Sequence, residues 1–307
     1  MAPSENFLRK VALIGFGEVG GIFGKDMAAA GLGVSAFDIL FSSESAKDGV
    51  LAKAMGANVV PAASLQEAVR GAELVISVVT ASAALQVARD ASAFLASSQF
   101  YMDCNSVSPE TKMKMSADVE RSGASFVESA VVAPVAPDRL KVPMLLGGSR
   151  SNELAERLRS IGMDATSVSE RIGVASAIKM CRSVVMKGLA ALTIESLFTA
   201  RRYGAEDAVI ASFDATYPNM GWAKALPDSL TRRAVEHSRR RASEMREVVE
   251  TLKNAGMNPF MASSTADLQD WLTAEMEARG YTYKSGEPFS WRAFADVIAG
   301  QRSSRAK

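Results

Sequence analysis

Lys10-Val-Ala-Leu-Ile-Gly-Phe-Gly-Glu-Val-Gly20 is the stretch that decides the fold. Its apolar run at 11–16 predicts a strand, and the segment up to residue 30 predicts a helix closed by Gly31 at the C′ position. Between them Gly15-Phe16-Gly17-Glu18-Val19-Gly20 has the spacing G-x-G-x-x-G. Glycine is common, so the spacing alone says little. A strand directly before it and a helix directly after it give it weight. In that setting Gly15 allows the tight turn, Gly17 leaves room for a pyrophosphate, and Gly20 lets helix and strand pack closely. The N–H groups at the helix start then face the phosphate charge. A strand-to-helix turn with no ligand is the plainer alternative.

Outward from this unit the pattern repeats. Apolar runs at 34–37, 58–60, 74–79 and 99–104 alternate with helical segments at 49–55, 65–70, 81–94 and 109–121. Pro109 suits a first helical turn. Strands at 125–132 and 143–146, a helix at 154–161 and a short strand at 165–168 complete the series. Runs that are apolar throughout suit strands buried on both faces of a parallel sheet, and their alternation with helices predicts a doubly wound α/β domain. Beyond residue 171 the strand runs vanish. Segment 172–202 has no proline and carries Ile178, Val185, Leu189, Leu192 and Leu197 at helical spacing. Further helices are predicted at 206–213, 230–255, 265–279 and 289–299. The expected architecture is α/β: a Rossmann-type doubly wound domain over 1–169, then an all-α domain over 170–307 that opens with a long interdomain helix.

The chain has 307 residues, 48% hydrophobic and 22% charged, an ordinary globular mixture that excludes the disordered class. Lys and Arg number 35 against 34 acidic residues, a net charge of +1, so no overall field draws nucleic acid or an anionic membrane. Two cysteines give no disulfide framework. A single histidine, His237, and no Cys-x-x-Cys pair exclude the common zinc centres. The N-terminal residues hold no signal-like apolar run, and no stretch of about 20 residues is uninterruptedly apolar. A cytoplasmic protein without membrane or nucleic-acid partners is expected.

Asp38 ends the second strand about 20 residues beyond the glycine loop, where a carboxylate accepts hydrogen bonds from the adenosine ribose and repels a 2′-phosphate. Ile39, Leu40 and Phe41 follow, with no Arg. NAD is therefore expected over NADP, with a plain turn aspartate as the alternative. On the long helix Lys179, Ser183 and Lys187 stand at i, i+4 and i+8, with Arg182 beside them. A lysine in apolar surroundings, or close to a second lysine, loses proton affinity and becomes suited to proton transfer. From spacing alone, a solvated face with snorkelling lysine stems reads equally well.

Four segments in order carry a family resemblance. They are the glycine loop, Asp103-Cys-Asn105-Ser106-Val-Ser-Pro109, Glu128-Ser129-Ala-Val-Val132-Ala133-Pro134, and Gly173 followed six residues later by Lys179. Together they resemble the β-hydroxyacid dehydrogenase superfamily, which includes 3-hydroxyisobutyrate dehydrogenase, tartronate semialdehyde reductase and 6-phosphogluconate dehydrogenase. The resemblance reaches to about Arg202, and the helical remainder looks like a poorly characterised domain that accompanies some of these enzymes. It implies hydride transfer between a nicotinamide and the carbinol carbon of a small hydroxy acid, with Lys179 as general acid/base. It also implies that Asn105 and Ser106 lie near the nicotinamide and substrate, and that Val79 and Thr80 line the cofactor cleft. Ser129 falls in the substrate segment.

The departures are as informative. Where the family carries Ser-Gly-Gly donors for the substrate carboxylate, this chain has Val132-Ala133-Pro134, and Pro134 has no N–H to give. Ser183 replaces the family's Asn four residues after the lysine. Arg182, Lys187 and His237 are the candidate replacements for anion recognition. His237 and Arg239-Arg240-Arg241 are expected on one helix with Glu244, either reaching the cleft across a dimer interface or forming a salt-bridged surface. The long apolar helix and Trp222, Trp271 and Trp291 suggest a homodimer. An imine reductase and a nucleotide-binding protein without turnover are the competing functions; Lys179 argues against the first, and the lost Ser-Gly-Gly keeps the second open as a minor alternative.

Overall fold

Val11, Ala12, Leu13 and Ile14 are each at most 2% exposed, as a run apolar on both faces requires, and their strand lies inside an eight-stranded sheet. The computed structural model describes residues 8–300. Two units divide at Met1–Lys179 and Met180–Lys307. The sequence places its boundary at 169/170, ahead of the long helix, whereas the units divide within that helix.

The first unit runs β1 (Lys10–Ile14), α1 (Glu18–Ala29), β2 (Gly33–Phe37), α2 (Lys47–Gly56), β3 (Val60–Pro61), α3 (Leu65–Val69), β4 (Leu74–Ser77) and α4 (Ala81–Ser92). It continues with β5 (Phe100–Asp103), α5 (Pro109–Glu120), β6 (Ser125–Val131), α6 (Val135–Asp138), β7 (Met144–Gly147), α7 (Ser151–Ser160) and β8 (Ala165–Ser169). The strand order is β3-β2-β1-β4-β5-β6-β7-β8, the doubly wound arrangement expected. Strand alternation splits the core into two layers. Val11, Leu13, Leu74, Ile76, Phe100 and Met102 face one layer, and Ala12, Ile14, Val75 and Tyr101 face the other. Every pairing is parallel except β6 with β7. A parallel return needs a crossover, usually a helix. Between β6 and β7 only the four-residue α6 and a short 3₁₀ turn form, and the chain doubles back.

The second unit is helical: most of α8 (Val174–Arg202), then α9 (Glu206–Thr216), α10 (Leu226–Glu236), α11 (Ser238–Asn254), α12 (Phe260–Ala278) and α13 (Trp291–Ile298). Ile194, Leu197 and Phe198 share its core with Leu230, Ala234, Trp291 and Phe294. The single helix expected over 230–255 is two. His237, at φ −137° and ψ 32°, leaves the helical region between α10 and α11. The buried stripe Leu230, Ala234, Ser238, Ala242, Met245 keeps helical spacing straight through the break, and no Gly or Pro marks it, so periodicity could not show it. Among the described residues α8 is the one helix long and apolar enough to span a bilayer by length and composition; 44% of its most apolar window is buried inside the protein.

Candidate functional site

The glycine loop has the steric signature its sequence predicted. Gly15 sits at φ +96°, and a Cβ there would lie 2.5 Å from the Val78 carbonyl oxygen and 3.1 Å from Val79 Cγ1. A Cβ on Gly20 would collide with the Gly15 carbonyl. At Gly17 the same atom would meet nothing within 4 Å, so the backbone is open to a large group where a pyrophosphate would approach. Gly17 is the N-cap of α1 and has no side chain to cap it, which leaves the first-turn amides of Glu18 and Val19 without a side-chain acceptor. Phe16 contributes backbone only, because its ring is 1% exposed and packs against Phe41. Asp38 accepts hydrogen bonds from Phe16 N (2.6 Å) and Leu40 N (2.8 Å), which fixes its carboxylate at the end of β2 beside the loop. Two carboxylate oxygens offer about four acceptor sites, so capacity for a ribose hydroxyl remains. These residues fit a dinucleotide.

Lys53 was not foreseen. From α2 its ammonium donates to the Gly17 carbonyl at 2.7 Å and lies 5.3 Å from the Phe16 ring centre. It puts a cation at the glycine loop, and its solvated helix gives no sequence signal for that.

Further along the same sheet, the strand ends carry a buried polar network. Asp103 and Lys112, 0% and 1% exposed, form an ion pair at 2.5 Å, and Lys112 also donates to the Asp103 carbonyl at 2.9 Å. Asn105 donates to Asp103 Oδ1 (2.5 Å) and to Ser77 Oγ (2.9 Å), so its amide nitrogen is committed inward and its oxygen is the atom left to present. Ser106 is half-buried next to it, as is Val79 after β4; Thr80 is exposed at the start of α4. The sequence reading does not single out Lys112. The signal was there, since it shares the buried stripe of Met115, Ser116 and Val119.

Cys104 follows Asp103 at the end of β5 and is buried. Burial is the main cause that pushes its thiol up to about 11, and the Asp103 charge adds to it; the Ser129 hydroxyl, Lys112 and Lys179 pull the other way. The Lys179 ammonium is therefore within electrostatic reach of Cys104. Ser129 Oγ is buried beside that thiol and makes no well-formed hydrogen bond within the protein. Glu128, the preceding residue, is fully buried and accepts hydrogen bonds from Gly173 N, Ala175 N, Ser176 N and Ser176 Oγ at the start of α8.

The helical unit carries candidates of its own. Lys187 is 8% exposed and pairs with Glu244 at 2.5 Å. Burial lowers its proton affinity, Glu244 raises it, and Arg241 and Arg240 lower it again. Arg241 is pulled down to about 10, chiefly by burial. Arg182 is exposed and Ser183 half-buried; His237 is exposed at the α10–α11 break.

A three-glycine turn between β1 and α1 and an acidic residue at the end of β2, in this sheet order, mark a dinucleotide-binding fold. The family described as the NAD binding domain of 6-phosphogluconate dehydrogenase matches residues 10–166. A domain of unknown function, DUF1932, matches 200–272. The chain belongs to the β-hydroxyacid dehydrogenase superfamily. A conserved hypothetical protein from Sinorhizobium meliloti is 33% identical, with 96% of this chain and 97% of that one covered and a TM-score of 0.76. A conserved protein of unknown function, described as structurally similar to 3-hydroxyacid dehydrogenases, is 29% identical over 86% of this chain and 97% of its own, with a TM-score of 0.70. The 3-hydroxyisobutyrate dehydrogenase of Mycobacterium tuberculosis, solved with L-serine, shares the fold at TM-score 0.72 and 16% identity, with 96% and 99% of the two chains covered.

Proposed function

We propose that this chain is a nicotinamide-dependent oxidoreductase that acts on the carbinol carbon of a small β-hydroxy acid, with Lys179 as general acid/base. The observation that carries the reading is the anchoring of the start of the Lys179 helix to Glu128 on β6, next to Ser129, in the sheet that also holds the glycine loop. When bound, the nicotinamide supplies or accepts the hydride. Lys179 takes the hydroxyl proton in oxidation and returns it in reduction. Asn105 offers its amide oxygen and Ser129 its hydroxyl to the substrate, and Gly15, Phe16, Gly17, Glu18, Val19, Gly20, Asp38, Val79, Thr80 and Ser106 serve the cofactor. Arg182, Ser183, Lys187 and His237 are the helical unit's candidates for the substrate anion. Lys179→Ala should lower turnover by at least about a hundredfold across 3-hydroxyisobutyrate, 3-hydroxypropionate and glycerate while NADH binding persists. Full turnover in that variant would refute the mechanism.

NAD is the favoured cofactor, because Asp38 is fixed beside the loop and no Arg follows it. NADH should bind at least about tenfold more tightly than NADPH, a gap of roughly 1.4 kcal/mol. A homodimer is supported by apolar exposure in the helical unit, where Val185 and Leu192 share a face of α8 and Trp271 is 43% exposed; sedimentation at micromolar concentration checks it. A cytoplasmic location accords with two free cysteines.

A further inference from the structure

Glu128 sits in mid-strand on β6 with no exposure, a position where an ionised carboxylate is costly unless its lone pairs are filled. All four donors that fill them come from one place, the first turn of α8 and the residue before it. Oε1 takes Gly173 N at 2.7 Å and Ala175 N at 3.0 Å; Oε2 takes Ser176 N at 3.3 Å and Ser176 Oγ at 2.7 Å. The carboxylate thus satisfies amides that a helix start leaves unpaired and meets the positive end of the helix dipole. The surroundings are cut to it. Gly147, its register partner on β7, could carry no Cβ without placing it 2.5 Å from Oε1. Gly173 holds φ +101°, which turns the chain into the helix. Lys179 follows Ser176 by three residues, one turn on along the same face. Ser129, the neighbour of Glu128 on the strand, lies against Cys104, the thiol that feels the Lys179 charge.

We propose that Glu128 is a positioning residue for Lys179: by clamping the first turn of α8 to β6, it holds the lysine at the Cys104–Ser129 end of the sheet. The proposal rests on the reading of Lys179 as the general acid/base. It differs from a purely structural cap in what it controls, which is the place and charge environment of one ammonium group.

The test combines mass-mapped competitive acetylation of Lys179 across pH 7–11 with kinetics on the same three hydroxy acids, using the full chain. Glu128→Gln removes a buried negative charge and uncovers the helix's positive end, so the acetylation midpoint of Lys179 should move to lower pH. Cys104, Asp103 and Lys112, the other titratable groups at this end, are unaltered in the variant. Turnover should fall by about a hundredfold with KM and NADH affinity nearly unchanged, and Glu128→Asp should recover part of it. Ser176→Ala, which removes one donor of the four, should shift both readouts the same way by less. An unchanged midpoint and turnover in folded Glu128→Gln would overturn the proposal, as would a loss of turnover that tracks lost NADH binding. If Glu128→Gln does not fold, an unchanged Lys179 midpoint in Ser176→Ala overturns it. Full turnover in Lys179→Ala refutes instead the reading on which it rests.

Discussion

In the α/β unit Asp103 and Lys112 answer one another and then draw on Asn105 and on a backbone carbonyl, and Glu128 draws on three backbone amides. In the helical unit Lys187 and Arg241 both lean on the carboxylate of Glu244, with Arg240 repelling each of them and Arg233 repelling Arg241. The difference follows from what each architecture leaves available. Strand ends and helix starts expose backbone donors and acceptors. The interior of a long helix keeps its own, so a charge buried among helices must find other side chains.

The largest expected effect tests the buried ion pair of the α/β unit. Lys112→Met leaves Asp103 buried without its cation and should cost about 3–5 kcal/mol of unfolding free energy in urea. A loss below about 1 kcal/mol would mean that Asn105 alone suffices, and the contrast would fail.

On the other side an asymmetry is expected. Glu244→Gln removes the carboxylate from among Lys187, Arg240 and Arg241 and should destabilise by about 2–4 kcal/mol. Lys187→Met should change stability by less than about 1 kcal/mol, since Glu244 keeps two arginines and the cost of burying the ammonium disappears. That cost is present below the depressed folded-state pKa and fades as pH climbs to the ordinary lysine range, so Lys187→Met compares best with the wild type near neutral pH. Equal losses in the two variants would make this an ordinary salt bridge.

The smallest effect sharpens the comparison without a mutation. With burial pushing its thiol up to about 11, Cys104 is held in the thiol form at pH 8, and it is shielded besides. Iodoacetamide should label exposed Cys181 first and Cys104 at least about a hundredfold more slowly, with the gap narrowing as pH rises toward 11. Similar rates at pH 8 would show that the strand ends are open to solvent.

What the sequence made legible was local. The run from Val11 and the three glycines carried their roles unaided, because a turn and a steric contact depend on neighbours in the chain. Pro109 marked the start of α5 for the same reason. The reversal at β7 was not readable, because pairing direction is settled by what the chain between two strands can form. The break at His237 lay inside an uninterrupted apolar stripe. Glu128 appeared only as part of a motif, since its partners lie some 45 positions away and nothing local announces them. Lys53 meets the glycine loop across a similar separation.

The clamp on α8 also bears on the order of events as the chain folds. Starting a helix is unfavourable by a factor of roughly 10³, because several residues must be fixed before the first bond rewards them. A carboxylate already seated in a strand, waiting for the amides of Gly173, Ala175 and Ser176, fixes those residues from outside and lowers that barrier. The sheet then acts as a template, and α8 grows away from β6 in one direction. The clamped turn stands at the start of α8, ahead of most of the helix it begins, which runs on to Arg202.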